Sequence, residues 1–335
     1  MEKPKVRISV RNLVEFILRS GDLDNSRGSS GDKEAMLKGG RLHRKIQRRM
    51  KGNYQAEVSL KRESEYEDTI IQVEGRADGI FTEDGEVWID EIKGTYGNLQ
   101  AMEMPVPVHR AQAMCYGWIY GEKEGLSQIG IQMTYSHLDT EDTRRFREIF
   151  SMEELKKWYQ ELLDAYHKWI AYSLSWKKER NASMTDLQFP FPYREGQREI
   201  VSGVYHTVSS KKTLFVQAPT GVGKTMSAIF PSVRAIGEGK GETLFYLTAK
   251  TITGTVAWEA FHTLRENGLK FKVTAITAKE KLCFLDSPEC TPEKCPYAKG
   301  HFDRVNDAVY ELWTTEEVYS REVIRAHAEK WQVCP

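Results

Sequence analysis

The 335-residue chain lacks the long apolar runs that would mark it as a membrane protein. No stretch approaches the roughly 20 apolar residues that a transmembrane helix requires. The first residues, MEKPKVRISVRNLVEF, also lack the apolar segment of a secretory signal. These absences predict a soluble, cytoplasmic protein with no membrane partner.

An excess of charge of one sign is also missing, because 48 Lys and Arg side chains balance 48 Asp and Glu side chains. That balance argues against a histone-like protein coated with positive charge, although a basic groove can still form on a neutral protein. Hydrophobic residues make up 40% of the chain, which is enough for ordinary cores. At about 150 residues per domain, the length predicts two domains.

The hydrophobic pattern divides the chain near residue 180. The first part opens with a predicted helix, ISVRNLVEFILRSGDL, and contains a predicted hairpin with the turn EDGE. It ends in a long amphipathic helix, where Ser151 and Glu154 form a predicted capping box. In the second part, predicted strands in KKTLFVQAPTG, GETLFYLTAK and KFKVTAITA alternate with helices. Such alternation predicts a parallel sheet, and the whole chain is predicted to be α/β with domains at 1–180 and 181–335.

A glycine-rich loop, QAPTGVGKT, follows an apolar strand and opens a helix, which is the context of a phosphate-binding loop. Its glycines let backbone N–H groups turn toward phosphate oxygens, its lysine supplies a cation, and the next hydroxyl can ligate Mg²⁺. Ala218 stands where the general pattern has its first glycine. The predicted ATP-binding residues of the loop are Thr220, Gly221, Gly223, Lys224 and Thr225.

Two segments flank this loop: FPFPYREGQ lies before it, and YLTAKT ends the next predicted strand. Together with the Ala-Pro-Thr-Gly form of the loop, they resemble superfamily 2 helicases and imply a RecA-like domain. The resemblance implies that Gln197 contacts adenine. It also implies that Thr248, Lys250 and Thr251 contact a nucleic-acid backbone. A solvated glutamine in a helix cap and an ordinary strand end are the alternatives.

Four of the five cysteines lie late in the chain, and clustered cysteines in an intracellular protein more often hold a metal than form disulfides. They are Cys283, Cys290, Cys295 and Cys334. One cysteine, a close pair and a final Cys-Pro resemble the iron–sulfur insertion of XPD-family helicases, including the DinG branch. The resemblance implies a four-iron four-sulfur cluster in an insertion at 283–334. Four-thiolate zinc and unliganded thiols are the alternatives, although no CxxC knuckle is present. Cys115 is predicted to be a small buried apolar residue.

A second set of chemical side chains lies in the first domain. Asp78 ends one strand of the predicted hairpin. Glu91 and Lys93 lie two residues apart on the next strand, and therefore on one face. Two carboxylates can hold Mg²⁺ or Mn²⁺ beside a phosphodiester. A lysine there can orient the attacking water or stabilise charge on phosphorus.

These residues resemble the core of the PD-(D/E)xK nucleases, in particular their RecB-like branch. Upstream, GGRLH resembles the motif with a metal-binding histidine, here His43. Downstream, QAMCY resembles the QxxxY helix, with Gln112 and Tyr116 one turn apart. The resemblance implies a restriction-endonuclease-like α/β/α domain whose two carboxylates and histidine bind metal. A surface histidine, a solvated charge pair and ordinary helix packing are the alternatives. The basic run RLHRKIQRRMK is either a solvated helix face or a track for a DNA backbone.

A DEAH-type acidic motif and a second RecA-like domain are missing from the sequence. We therefore expect the front portion of a longer nuclease–helicase, which binds ATP weakly without useful hydrolysis. Its predicted substrate is single-stranded or flapped DNA. The alternatives are an ATP-driven DNA translocase whose first domain binds DNA without cutting it, and an RNA-directed enzyme.

Overall fold

The computed structural model describes residues 3–26, 33–50, 52–249, 251–286 and 289–335, and only the backbone of 33–36 and 251–253. The described chain forms two compact units. The first comprises Met1–Ala171, Cys283–Val309 and Ala328–Pro335, and the second comprises Tyr172–Leu282 and Tyr310–His327. These units are discontinuous in sequence, whereas the predicted domains are continuous. The four late cysteines belong to the first unit, which does not contain the phosphate loop.

Within the described residues, the first unit contains a six-stranded sheet. Its strands are β1 (Lys5–Ser9), β2 (Gln55–Glu65), β3 (Ile70–Glu83), β4 (Glu86–Thr95), β5 (Gln128–His137) and β6 (Thr143–Ser151). The order is β1-β3-β4-β5-β6, and β2 also pairs with β3. The β1–β3 and β4–β5 pairs are parallel and the other pairs are antiparallel, so the sheet is mixed. The predicted α/β class is confirmed at this level.

Four helices accompany this sheet in the described chain. They are α1 (Val10–Ile17), α2 (Lys33–Arg49), α3 (Pro107–Glu124) and α4 (Met152–Thr185), whose last residues belong to the second unit. The predicted capping box of α4 is confirmed. The backbone N–H of Ser151 donates to Glu154 at 2.9 Å, and the N–H of Glu154 donates to Oγ of Ser151 at 3.2 Å. The predicted hairpin is also present, with Glu83 opposite Glu86.

The prediction for the first helix is partly wrong. The chain begins with β1, which pairs in parallel with β3, and helix α1 follows only from Val10 to Ile17. Ser9 is extended and its side chain accepts the N–H of Asn12, so it caps the helix. Parallel pairing with a strand far along the chain therefore replaces the predicted first turn of this helix.

The second unit is built mainly from helices packed around an apolar core. The remaining elements are α5 (Gln197–Ser209), α6 (Lys224–Gly237), α7 (Thr251–Glu266), β7 (Val273–Thr274), α8 (Lys279–Leu282), α9 (His301–Thr315), β8 (Val318–Tyr319) and α10 (Arg321–Trp331). Helices α9 and α10 have residues in both units. Ile229, Val233 and Leu264 are fully buried in the core of the second unit.

Two of the three strands predicted for the parallel sheet of this second part are not formed in the described residues. Residues 213–219 and 243–248 form no strand in the described part of the chain, and Phe215 and Leu247 are 93% and 86% exposed. A strand requires hydrogen bonds to a neighbouring strand. In the third predicted segment, β7 forms where β8 provides that neighbour. None of the described helices has the length and apolar character needed to cross a membrane.

Candidate functional site

The first unit brings the predicted nuclease residues into one connected group. They are His43 on α2, Asp78 on β3, Glu91 and Lys93 on β4, and Gln112 and Tyr116 on α3. Residues that are far apart in sequence meet here because β3 and β4 form a hairpin and the two helices contact it.

One carboxylate oxygen of Asp78 accepts a backbone hydrogen bond, and the other faces His43. Its Oδ2 accepts the backbone N–H of Ile92 at 2.7 Å. Its Oδ1 lies 3.5 Å from Nδ1 of His43, and the Asp78 side chain is 15% exposed. The carboxylate is therefore fixed by the neighbouring strand and directed toward α2.

Glu91 is the most unusual carboxylate of the group, because its side chain is only 2% exposed. The ammonium of Lys93 donates to its Oε1 at 2.8 Å and to Oε1 of Gln112 at 3.1 Å. Its Oε2 is buried and has no hydrogen-bond partner within the described residues. Burial, followed by the negative charge of Asp78, raises the pKa of Glu91 to about 8. A buried oxygen without a partner beside a second carboxylate is an arrangement that a divalent cation would stabilise.

Gln112 and Tyr116 lie one turn apart on α3, as predicted, with Nε2 of Gln112 3.5 Å from the tyrosine hydroxyl. Burial and the nearby Glu91 raise the pKa of Tyr116 to about 12, so the phenol stays protonated. A Cβ on Gly75 would lie 2.7 Å from this hydroxyl. The glycine in β3 therefore allows the tyrosine to approach the strand.

The sequence analysis missed three polar residues that are linked to the group through a chain of side-chain bonds. Nε2 of Gln47 lies 2.9 Å from the carbonyl oxygen of Asp78 and 2.9 Å from Oε1 of Glu57. Oε2 of Glu57 pairs with Nε of Arg76 at 2.5 Å. Gln47 follows His43 by four residues on α2, so helical spacing was an available signal for it. The pairing of Glu57 on β2 with Arg76 on β3 depends on strand register, so no local sequence signal predicts it.

Asp90, the residue before Glu91, forms a separate buried network. It accepts hydrogen bonds from Thr134 at 2.6 Å, from Gln132 at 3.0 Å and from the hydroxyl of Tyr54 at 3.1 Å. Burial raises the pKa of Asp90 despite these bonds. The same tyrosine packs against Gly79, where a Cβ would overlap its hydroxyl. This network supports β4 beside the candidate site.

In the second unit, two glycines of the glycine-rich loop adopt a left-handed backbone. Gly221 and Gly223 have φ of 87° and 81°, in the left-handed region. The ammonium of Lys224 donates to the carbonyl oxygens of Ala218 and Pro219, at 2.9 and 2.8 Å. The hydroxyl of Tyr246 donates to that of Thr225 at 3.2 Å. The lysine thus contacts the carbonyls of its own loop, and Thr220 is exposed beside it.

Gln197 lies against this loop and is 4% exposed. Its side-chain oxygen accepts the N–H of Arg194 at 3.0 Å, and a Cβ on Gly223 would lie 2.5 Å from its Nε2. The guanidinium of Arg194 also bonds the carbonyl of Gly221. The predicted adenine-contacting segment and the phosphate loop are therefore adjacent. Thr248 is exposed, whereas Lys250 and the side chain of Thr251 lie outside the described residues.

The four late cysteines belong to one unit but are not gathered. Cys295 is buried, and the carbonyl of Cys290 accepts the N–H of Asn25 at 2.9 Å. Among the described residues, no three His, Cys, Asp or Glu side chains form a group that could hold a metal ion. The thiols as placed do not fit an iron–sulfur cluster or a zinc ion. Cys115 is fully buried, as predicted, and burial raises the pKa of its thiol.

Similarity to known proteins is limited to part of the chain. No family model matches it. A probable ATP-dependent helicase of Methanocaldococcus jannaschii is 40% identical over 47 residues, which is 14% of this chain and 7% of that protein. The match supports a helicase relationship at that coarse level. The crystal structure of SSO0001 resembles 49% of this chain and 78% of its own, with a TM-score of 0.32 and 20% identity.

Proposed function

We propose that the first unit is a metal-dependent nuclease acting on single-stranded or flapped DNA. The observation that carries this proposal is the buried, unpartnered Oε2 of Glu91 beside Asp78 in the described chain, next to the ammonium of Lys93. Carboxylates placed in this way are suited to Mg²⁺ or Mn²⁺, and an adjacent lysine suits phosphodiester hydrolysis. The site residues therefore combine metal affinity with a cation for phosphate chemistry.

In this proposal Asp78, Glu91 and His43 would hold the metal, and a metal bound there would supply Lewis-acid chemistry for phosphodiester hydrolysis. Lys93 orients the attacking water or stabilises the negative charge that develops on phosphorus, from the side of Glu91. Gln112 accepts a hydrogen bond from Lys93 and thereby orients the ammonium. Tyr116 packs against Gly75 and keeps α3 close to β3.

The second unit is proposed to hold ATP and to contribute to a DNA-unwinding motor. Its support is the adjacent placement of Gln197 and the loop ending in Lys224 and Thr225, together with the short helicase match. Phosphates would replace the carbonyls that Lys224 now contacts, and Thr225 would ligate Mg²⁺. An iron–sulfur cluster on the four late cysteines remains a prediction from sequence, and no step is derived from it.

The nuclease proposal is tested by incubating the purified chain with labelled single-stranded and flapped DNA in Mn²⁺ or Mg²⁺. We expect cleavage that requires the metal and is lost in Asp78→Ala and in Lys93→Ala. Lys61→Ala, an exposed lysine on β2, is the matched control and should cut like the unaltered chain. Cleavage that persists in both site variants would contradict the proposal.

A second candidate is an ATP-driven translocase whose first unit binds DNA without cutting it. One observation favours it: within the described residues, no three potential ligands are arranged as a metal-binding group. This candidate predicts DNA binding that is independent of divalent metal and a complete lack of cleavage products. The same assay separates the two, because binding is measured on the samples that are scored for cutting.

A further inference from the structure

Arg76 lies beside the proposed nuclease site and has no assigned role in it. It precedes Asp78 by two residues in β3, so both side chains leave the strand on the same face. Its side chain is 65% exposed, whereas that of Asp78 is 15% exposed. The strand therefore presents a solvent-accessible guanidinium next to a largely buried carboxylate.

Glu57 holds this guanidinium from the neighbouring strand. The ladder pairs Ala56 with Gly79 and Val58 with Ala77, which leaves Glu57 opposite Asp78. Glu57 has φ of 58°, a left-handed backbone that non-glycine residues rarely adopt. Such strain at a site is maintained only when surrounding contacts fix it, and it is often connected with function. Here the carboxylate bonds Arg76 through Oε2 and Gln47 through Oε1.

The carboxylates of the site would repel an anionic substrate. Asp78, Glu91 and Glu57 all lie near the reaction centre, and each repels a phosphate when ionised. Arg76 offers a planar fork of N–H donors that fits phosphate oxygens, which a lysine ammonium does not match. Its pair with Glu57 is exposed on both sides, at 65% and 39%, and exposed pairs of this kind are weak. Replacing the Glu57 carboxylate with a phosphate as the partner of Arg76 therefore costs little free energy.

We propose that Arg76 binds a backbone phosphate of single-stranded nucleic acid beside the scissile bond, and that Glu57 holds it ready in the free protein. This inference rests on the proposed nuclease function, because it places the strand across Asp78. Substrate binding transfers the guanidinium from Glu57 to the phosphate, and no covalent step is involved. Glu57 thus lowers the affinity for nucleic acid, because it competes with the phosphate for Arg76, and at the same time it keeps the arginine in the site.

The test measures binding of a labelled single-stranded oligonucleotide by the full chain carrying Asp78→Asn, without divalent metal, over a series of salt concentrations. In that background Arg76→Gln should weaken binding about fivefold, with the slope of log K against log[salt] reduced by about 0.7. Glu57→Gln should strengthen binding, because it releases the arginine. Lys5→Gln is the control: it removes a cation paired with Glu63, near the opposite end of β2 from Glu57. It should change neither affinity nor slope.

Arg76→Gln that matches Lys5→Gln in affinity and salt slope would overturn the inference. A weakening that leaves the slope unchanged would also overturn it, because loss of a phosphate contact must reduce counterion release. Circular dichroism of each variant verifies that the fold is intact. Metal-dependent cutting by the chain without the Asp78 substitution is assayed in parallel. If cutting is lacking but the arginine effect on the slope is present, the nuclease proposal fails while the phosphate contact stands.

Discussion

Lys93 satisfies only one of the two carboxylate oxygens of Glu91: its ammonium lies 2.8 Å from Oε1, and Oε2 is buried without a partner among the described residues. Burial and the charge of Asp78 raise the pKa of Glu91 from its ordinary value of 4.5 to about 8 in the folded chain. Between these pH values the folded chain binds more protons than the unfolded chain. The free energy of unfolding without divalent metal should therefore fall as pH rises through this window.

Each pKa unit corresponds to about 1.4 kcal/mol, so we expect a decrease of several kcal/mol, measured by urea unfolding. Glu91→Gln should make the free energy of unfolding less dependent on pH in this window. Glu86→Gln, at the start of the same strand, should leave it unchanged. Added Mg²⁺ should restore stability near pH 8, because the ion binds the ionised carboxylate. An identical slope in Glu91→Gln and in the unaltered chain would contradict this assignment.

Lys224 contacts two carbonyls of its own loop, and an ATP phosphate is a stronger partner for its ammonium than either carbonyl. We expect Lys224→Ala to weaken binding of a fluorescent ATP analogue by about tenfold or more. Lys240→Ala, which removes an exposed lysine beyond the end of α6, should bind the analogue like the unaltered chain. Equal affinities for the two variants would show that the loop does not hold phosphate.

Interactions between residues close in sequence could be predicted, because few other arrangements compete with them. The capping box of Ser151 and Glu154 spans three residues, and the pair Gln112 and Tyr116 spans one helical turn. The hairpin that places Asp78 near Glu91 also has a short turn. These local features are sufficient to bring most of the candidate site together.

Features that depend on distant backbone partners could not be predicted in the same way. The segment around Phe215 has the composition of a buried strand, yet it is exposed and forms no ladder in the described chain. Ile8 and Ser9 belong to β1 because β3 lies alongside them, although the sequence predicts that they begin the first helix. The contact of Arg76 with Glu57 depends on the register of β2 against β3, which residue spacing alone does not specify.

The side chain of Tyr54 packs closely against β3 at Gly79. A Cβ at this position would lie 1.9 Å from the tyrosine hydroxyl, which is held by its bond to Asp90. We expect Gly79→Ala to lower the free energy of unfolding by about 2 kcal/mol, because overpacking forces the ring or strand to shift. The measurement is urea unfolding.

Gly39→Ala is the control for this substitution. Gly39 lies inside α2, and beyond its chain neighbours and the backbone of its own helix no heavy atom of the described chain lies within 4 Å of its Cβ position. Alanine there should stabilise the chain by about 0.5–1 kcal/mol, because alanine favours helix interiors over glycine. Similar effects of the two substitutions would be inconsistent with the Tyr54 contact.

Lys272 is enclosed by aromatic rings and carbonyls in the second unit. Its ammonium donates to the carbonyls of Trp313 at 2.5 Å and Glu316 at 2.7 Å, and lies 4.3 Å from the ring of Trp176. Burial lowers the pKa of Lys272. Lys272→Met should destabilise the chain by about 2 kcal/mol, because both carbonyls lose a charged donor. Lys270→Met, which breaks only an exposed pair with Glu179, should leave the unfolding midpoint nearly unchanged.

Metal analysis of the purified chain tests the iron–sulfur cluster that the sequence predicts on the four late cysteines, which form no three-ligand group within the described residues. A cluster held by four cysteines of the folded chain should stabilise the first unit against unfolding, because the unfolded chain has no preformed site for it. We expect the chain purified without oxygen to contain iron and acid-labile sulfide, which Cys334→Ser loses and Cys115→Ala retains. Zinc in place of iron and sulfide would identify the four-thiolate zinc alternative. Neither metal would favour the third alternative, in which these thiols bind no metal.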